Sequence, residues 1–304
     1  MASAVGRALL AVTSTPTVRR LFTERRLGRR LAMRFVAGET LDEAVTVARR
    51  LNRRGMSVSL DHLGEHVADA QMADRARRGY LACLDRIGEE GLDANISVKL
   101  TQLGLGLDEA LVEQAVEELG KKSAELGTTL TIDMEESRYT EATVDLFCRM
   151  QPLLGNLGVA LQAYLYRTEE DMVRLIPLGG HIRLCKGAYA EPPDVAYQRK
   201  QEVDRSFARL LQQLMDAEDT LPAVATHDGS LIDLAKDLAL ARREPFEFQM
   251  LYGVRNRLQA QLVEEGHSLR IYLPYGAEWY PYLTRRLAER PANLLFFLRA
   301  VAGR

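Results

Sequence analysis

The sequence predicts an α/β chain folded as a (β/α)8 barrel, and three observations carry that prediction. After residue 40, eight short β-branched or apolar runs alternate with longer stretches of helical periodicity. Nearly every run ends at or near a polar or ionisable residue. No GxGxxG turn occurs, which weighs against the competing doubly wound open sheet.

The runs fall in order. The first, 56–60, ends at Asp61. The second, 95–100, contains Lys99 and precedes a helix-like segment at 107–126. The third, 129–134, carries Asp133 with Glu135 just beyond, and a helix is expected over 138–151. The fourth, 158–163, brings Gln162, then a short helix at 169–175. The fifth, 181–186, brings Arg183 and Lys186, followed by a helix at 195–217. The sixth, 223–227, ends in His227 before a helix at 230–241. The seventh, 246–251, holds Gln249, with a helix at 253–265. The eighth, 269–273, holds Tyr272, and Trp279–Glu289 reads as the closing helix. Eight such units in about 250 residues match a (β/α)8 barrel. The economical division is an N-terminal helical extension over 1–40 and one barrel domain over 41–304.

Composition narrows the function. The 304 residues carry a net charge of −2, with 47% hydrophobic and 27% charged residues. That balance gives no general attraction to nucleic acid or to an anionic membrane. Cys83, Cys148 and Cys185 are scattered and lack CxxC spacing, so neither a disulfide framework nor a zinc cluster is indicated. No apolar run reaches the roughly 18–20 residues of a membrane helix. A cytoplasmic protein is the plain expectation. The first 23 residues contain no acid, and arginines follow closely. Three readings of this start remain open: a solvated amphipathic helix, a transit peptide, or peripheral contact at the inner face of a membrane.

In a barrel, the strand C-termini and the loops after them form the catalytic face. The polar strand ends therefore predict one polar pocket. Lys99, Arg183 and Lys186 are cationic and Asp133 is anionic, a mixture suited to a zwitterion or a polyanionic cofactor. Arginine presents a planar pair of donors that matches a carboxylate. On the last helix, Tyr282 lies three and four residues from Arg285 and Arg286, so the three share a face.

Residues 270–289, RIYLPYGAEWYPYLTRRLAE, resemble the C-terminal signature of proline dehydrogenases. DHLGE (61–65), ISVKL (96–100), IDMEE (132–136), QAY (162–164), RLCKGAY (183–189), ATH (225–227) and EFQMLYG (247–253) follow that family's order. The resemblance is to the monofunctional bacterial type and covers roughly residues 50–290. It implies FAD held non-covalently at the barrel mouth and oxidation of L-proline to Δ1-pyrroline-5-carboxylate by hydride transfer. Electrons would pass to a quinone, and the product to a separate pyrroline-5-carboxylate dehydrogenase. By this resemblance Lys99, Arg285 and Arg286 bind the substrate carboxylate, and Asp133 lies near the substrate and its cations. Ala188, Leu251, Tyr272 and Tyr282 wall the ring, and Arg183 sits at the flavin edge. Gln162, Lys186, Gly187, Tyr189, Thr226 and His227 contact FAD, with Asp133, Ala188 and Glu289 close to it. Cys185 stands where an aliphatic residue is usual, and Ala190 where an aromatic often follows.

Two alternatives belong to other chemistries. His62, Glu65 and His66 match the HxxEH zinc-peptidase pattern, which requires both histidines on one helix. A flavin amine oxidoreductase acting on a proline analogue is the other.

Overall fold

Alternation with a period of two runs through the strands of the barrel and decides its construction. In β1 (Ser57–His62), Val58 and Leu60 are apolar while Ser59 and Asp61 are polar. In β2 (Ala94–Lys99), Ile96 and Val98 alternate with Asn95, Ser97 and Lys99. Parallel strands are commonly apolar on both faces. Here the apolar set packs outward against the helices, and the polar set meets across the barrel interior, where Arg183 reaches Ser59, Ser97 and Asp133.

The computed structural model describes residues 32–289 except residue 65, with the side chains of residues 285–289 outside that description. Residues 1–31 of the extension expected over 1–40, the Glu65 ligand and the side chains of Arg285, Arg286 and Glu289 therefore lie outside the described residues. The remaining strands are β3 (Leu130–Asp133), β4 (Leu157–Gln162), β5 (Gly180–Cys185), β6 (Thr220–Ala225), β7 (Glu247–Leu251) and β8 (Leu269–Tyr275). All neighbours are parallel, and β8 pairs with β1 to close an eight-stranded barrel. The helices are α1 (Leu41–Asn52), α2 (Ala70–Glu90), α3 (Glu109–Glu125), α4 (Ser137–Leu154), α5 (Thr168–Leu175), α6 (Lys200–Asp216), α7 (Gly229–Ala239), α8 (Asn256–Glu264) and α9 (Trp279–Glu289).

Local chemistry fixes the helix ends. Thr40 and Glu43 form a reciprocal capping box before α1. Asp69 and Asp108 each accept a backbone N–H at the start of α2 and α3. The sequence expectation ends the fourth helix before Pro152, but α4 continues to Leu154. Proline in the final turn disturbs little beyond that turn, and Gly155 at φ 73° closes the helix. The helix expected from 195 begins only at Lys200, because Ala196 forms a bridge with Leu165 instead. The sixth strand starts at Thr220 rather than 223, with Pro222 inside it.

A second apolar cluster ties the chain before α1 to the closing helix. Ala32 and Val36 pack with Leu63, Trp279, Tyr280, Tyr282 and Leu283. Ala37 N donates to Pro274 O at 2.8 Å, and Gly276 N donates to Gly38 O at 3.0 Å. Gly253 makes this seam possible: at φ 75°, a Cβ there would stand 1.7 Å from the Arg34 carbonyl oxygen.

Candidate active site

The register places Lys99 directly beside Asp133 on neighbouring strands. Both point into the mouth, where Asp61 from β1, Arg183 from β5 and Tyr272 from β8 meet them. Lys99 Nζ donates to Asp61 Oδ1 at 2.7 Å, and to Asp133 Oδ2 and the Tyr272 hydroxyl at 3.4 Å each. Asp133 is fully committed: Ser97 Oγ (2.7 Å) and Arg183 Nη1 donate to Oδ1, and the Tyr272 hydroxyl to Oδ2 at 2.6 Å. The Arg183 guanidinium also lies 5.3 Å from the centre of the Tyr272 ring.

The two aspartates differ in character. Burial opposes ionisation of Asp133, but Lys99 and Arg183, with the Tyr272 and Ser97 hydroxyls, hold its carboxyl below the usual range. Burial dominates at Asp61 and, helped by nearby Asp133, raises its carboxyl despite Lys99. One Asp61 oxygen, Oδ2, is buried with no hydrogen-bond partner. Sequence reasoning marked Asp61 as a strand-end polar residue but gave it no role.

Above this cluster opens a cavity of about 480 Å³. Its wall brings together Lys99, Asp133, Gln162, Arg183, Lys186, Gly187, Ala188, Tyr189, Thr226, His227, Leu251, Tyr272 and Tyr282, all named from the sequence. Arg285, Arg286 and Glu289 lie on α9, with side chains outside the description. The structure adds Asp61, Met134, Ala160, Cys185, Lys200, Asp228 and Met250 to the wall, among others.

Several of these residues already have structural work. Gln162 accepts from Ala188 N at 3.2 Å and donates to Glu135 O at 2.9 Å, pinning the loop after β5 to that after β3. His227 Nε2 accepts from Leu251 N at 3.0 Å, which places any single ring proton on Nδ1. Lys186 is clasped by Asp204 and Asp228, and Lys200 also reaches both. The described lining thus carries four cations (Lys99, Arg183, Lys186, Lys200) against three aspartates (Asp61, Asp133, Asp228). This near-neutral wall accepts a ligand with both signs of charge.

The residues present suit a planar, anionic cofactor. Gly187 at φ 122° lets the backbone turn across the mouth, and a Cβ there would run into the Tyr164 ring at 2.4 Å. The loop 186–189 therefore packs closely on Tyr164 and lines the cavity together with Arg183, Thr226 and His227. Apolar Ala188, Met250 and Leu251 supply flat contact beside these polar groups.

The described part of the HxxEH segment does not supply the helix that the zinc pattern requires. His62 is the last residue of β1, stacked on Tyr275 with ring centres 5.2 Å apart, rather than part of a helix. Among the described residues, no group of three His, Cys, Asp or Glu side chains could hold a metal ion. Nor is any helix among them long and apolar enough to cross a membrane. Glu135, conspicuous in the sequence beside Asp133, accepts from Thr101 N at 3.0 Å and so secures the turn after β2.

A closed parallel barrel with a charge-paired polar mouth defines an enzyme of the (β/α)8 class, with its site at the strand C-termini. Comparison with known proteins resolves the family. Residues 44–299 match the proline dehydrogenase family model, and the chain belongs to that family of oxidoreductases. It is 40% identical over 274 residues to proline dehydrogenase 1 of Bacillus subtilis subsp. natto, covering 89% of this chain and 90% of that one. It is 36% identical over 303 residues to the proline dehydrogenase of Deinococcus radiodurans, covering 97% of each. Among solved structures, proline utilization A from Bdellovibrio bacteriovorus superposes with a TM-score of 0.81 at 23% identity. That match covers 86% of this chain and 33% of the other, and it supports the barrel fold.

Proposed function

We propose that the chain oxidises L-proline to Δ1-pyrroline-5-carboxylate at this mouth, using FAD and passing the electrons to a quinone. The observation that carries the reading is the ring of Lys99, Asp133, Arg183 and Tyr272 beneath a cavity flanked by the loop 186–189. Family membership supports the substrate.

Lys99, with Arg285 and Arg286 from α9, would hold the proline carboxylate. Ala188, Leu251, Tyr272 and Tyr282 would wall the ring and keep water from it. Gln162, Arg183, Lys186, Gly187, Tyr189, Thr226 and His227 would hold the cofactor, with Glu289 nearby. When bound, FAD supplies the two-electron acceptor for the hydride lost from the ring carbon beside nitrogen. The protein contributes orientation. Asp133 is not a free base in this scheme. All of its contacts favour the ionised form, so it serves as the fixed anion that aligns Lys99, Arg183 and Tyr272.

An anaerobic visible spectrum tests the reading. A flavin spectrum that bleaches with L-proline and not with D-proline is expected. A protein that stays colourless after FAD is supplied would remove the cofactor assignment, and a yellow protein indifferent to L-proline would remove the substrate. For the quinone, deletion of residues 1–30 should weaken liposome binding if the arginine-rich start meets the bilayer; undiminished binding rejects that contact.

A further inference from the structure

Below the mouth, nearer the N-terminal ends of β5, β7 and β8, lies a second charged group: His181, Glu247 and Arg270. Inner layers of such barrels are usually branched apolar side chains. A carboxylate 6% exposed in that position carries a desolvation cost. Arg270 Nε donates to Glu247 at 2.9 and 3.2 Å, and His181 Nε2 stands 3.1 Å from Oε1. Burial alone would raise the Glu247 carboxyl, but Arg270 and His181 outweigh it and hold it below the usual range. Glu247 is therefore a permanent acceptor.

That matters because of Gln249, two residues along the same face of β7. Its amide has one donating end and one accepting end. Gln249 Nε2 donates to Glu247 Oε1 at 2.6 Å. The accepting end must then face the other way, where Oε1 receives Arg183 Nε. With Nε fixed, the Arg183 guanidinium sends Nη1 to Asp133 and Ser97 and Nη2 to Ser59. Glu247 does not line the cavity, whereas Gln249 and Arg183 do.

We propose that Glu247 is a positioning residue for Arg183, acting through the Gln249 amide. The inference rests on the reading of Arg183 as part of the proline-oxidising mouth. A neutral glutamine at 247 could offer either end to Gln249. His181 Nε2, 3.3 Å from Gln249 Nε2, can donate or accept according to its tautomer, so it does not select the orientation, and the Gln249 amide could turn over and set N–H against N–H at Arg183.

Three variants separate this role from a merely structural one: Glu247→Gln, the pair Glu247→Gln/Gln249→Glu, and Arg270→Gln. A carboxylate at 249 has no donating end, so it accepts from Arg183 whatever stands at 247. Glu247→Gln should lower kcat/KM for L-proline by about tenfold or more. The double variant should regain most of that loss while its melting temperature stays depressed, because Arg270 still lacks its carboxylate. Arg270→Gln should depress the melting temperature but leave kcat/KM within about threefold of wild type at a pH alkaline enough to keep Glu247 ionised without its arginine. The proposal is overturned if Glu247→Gln keeps wild-type kcat/KM, or if the double variant recovers nothing. It is equally overturned if activity follows melting temperature across the series; should Glu247→Gln not fold, a double variant about tenfold or more below wild type in kcat/KM overturns it. Wild-type protein that fails to oxidise L-proline in the same assay would sink the functional reading instead.

Discussion

The Tyr272 hydroxyl donates to Asp133 Oδ2 at 2.6 Å, tying the last strand of the barrel to the third across the mouth. This bond helps to hold the Asp133 carboxyl below its ordinary value of 3.8. A depressed carboxyl contributes stability above its unfolded value and loses it as pH falls through the folded one. Removing the hydroxyl raises the folded value, so Tyr272→Phe should lose activity and structure at higher pH on the acid side. Acid titrations followed by circular dichroism check this, and coincident acid midpoints for the two proteins would refute it.

The two aspartates on Lys99 should respond differently to the same substitution. The ionised state is favoured at Asp133 and disfavoured at Asp61. Asp133→Asn breaks buried pairs with two cations and should cost about 3–5 kcal/mol at neutral pH. Asp61→Asn removes a carboxylate that burial already penalises and should cost clearly less. Urea unfolding gives both values, and equal losses would contradict the contrast.

Lys99 and Arg183 are already paired with carboxylates in the described wall. In the proposed reading, net attraction for the substrate carboxylate therefore comes largely from Arg285 and Arg286 on α9. Arg285→Met and Arg286→Met should each raise KM for L-proline at least about tenfold, the scale of losing one charge-assisted contact. Steady-state kinetics would show it, and unchanged KM in both variants would move the carboxylate site away from α9.

Gly253→Ala should destabilise the protein by about 1 kcal/mol or more, through its positive φ and the Arg34 carbonyl beside it. A thermal melt suffices. An unchanged midpoint would mean that the seam between residues 32–38 and the barrel yields freely.

The barrel was legible because its strands keep polar and apolar residues on opposite faces, so that Lys99, Asp133 and Arg183 stood out against Val98, Ile132 and Leu184. The mouth was legible because most of its polar residues sit at or within a few residues of a strand's C-terminal end. Glu247, His181 and Arg270 were not, since a charged residue early in a strand reads as solvated until three strands close around it. Pro222 hid the start of β6, and the bridge from Ala196 to Leu165 interrupted a stretch whose periodicity reads as helix. The HxxEH match at 62–66 carried little weight, since it begins at a strand end, where His62 indeed closes β1.

Because most strands turn their polar or small residues inward, the greasy mass that holds this fold together lies largely between sheet and helices. The inner wall is left as a lattice of charges and hydroxyls that hold one another in place. Substitutions there can retune the site while the surrounding scaffold keeps its packing. Each such change must still leave every buried charge a partner, so the residues around the axis are free to vary only in concert.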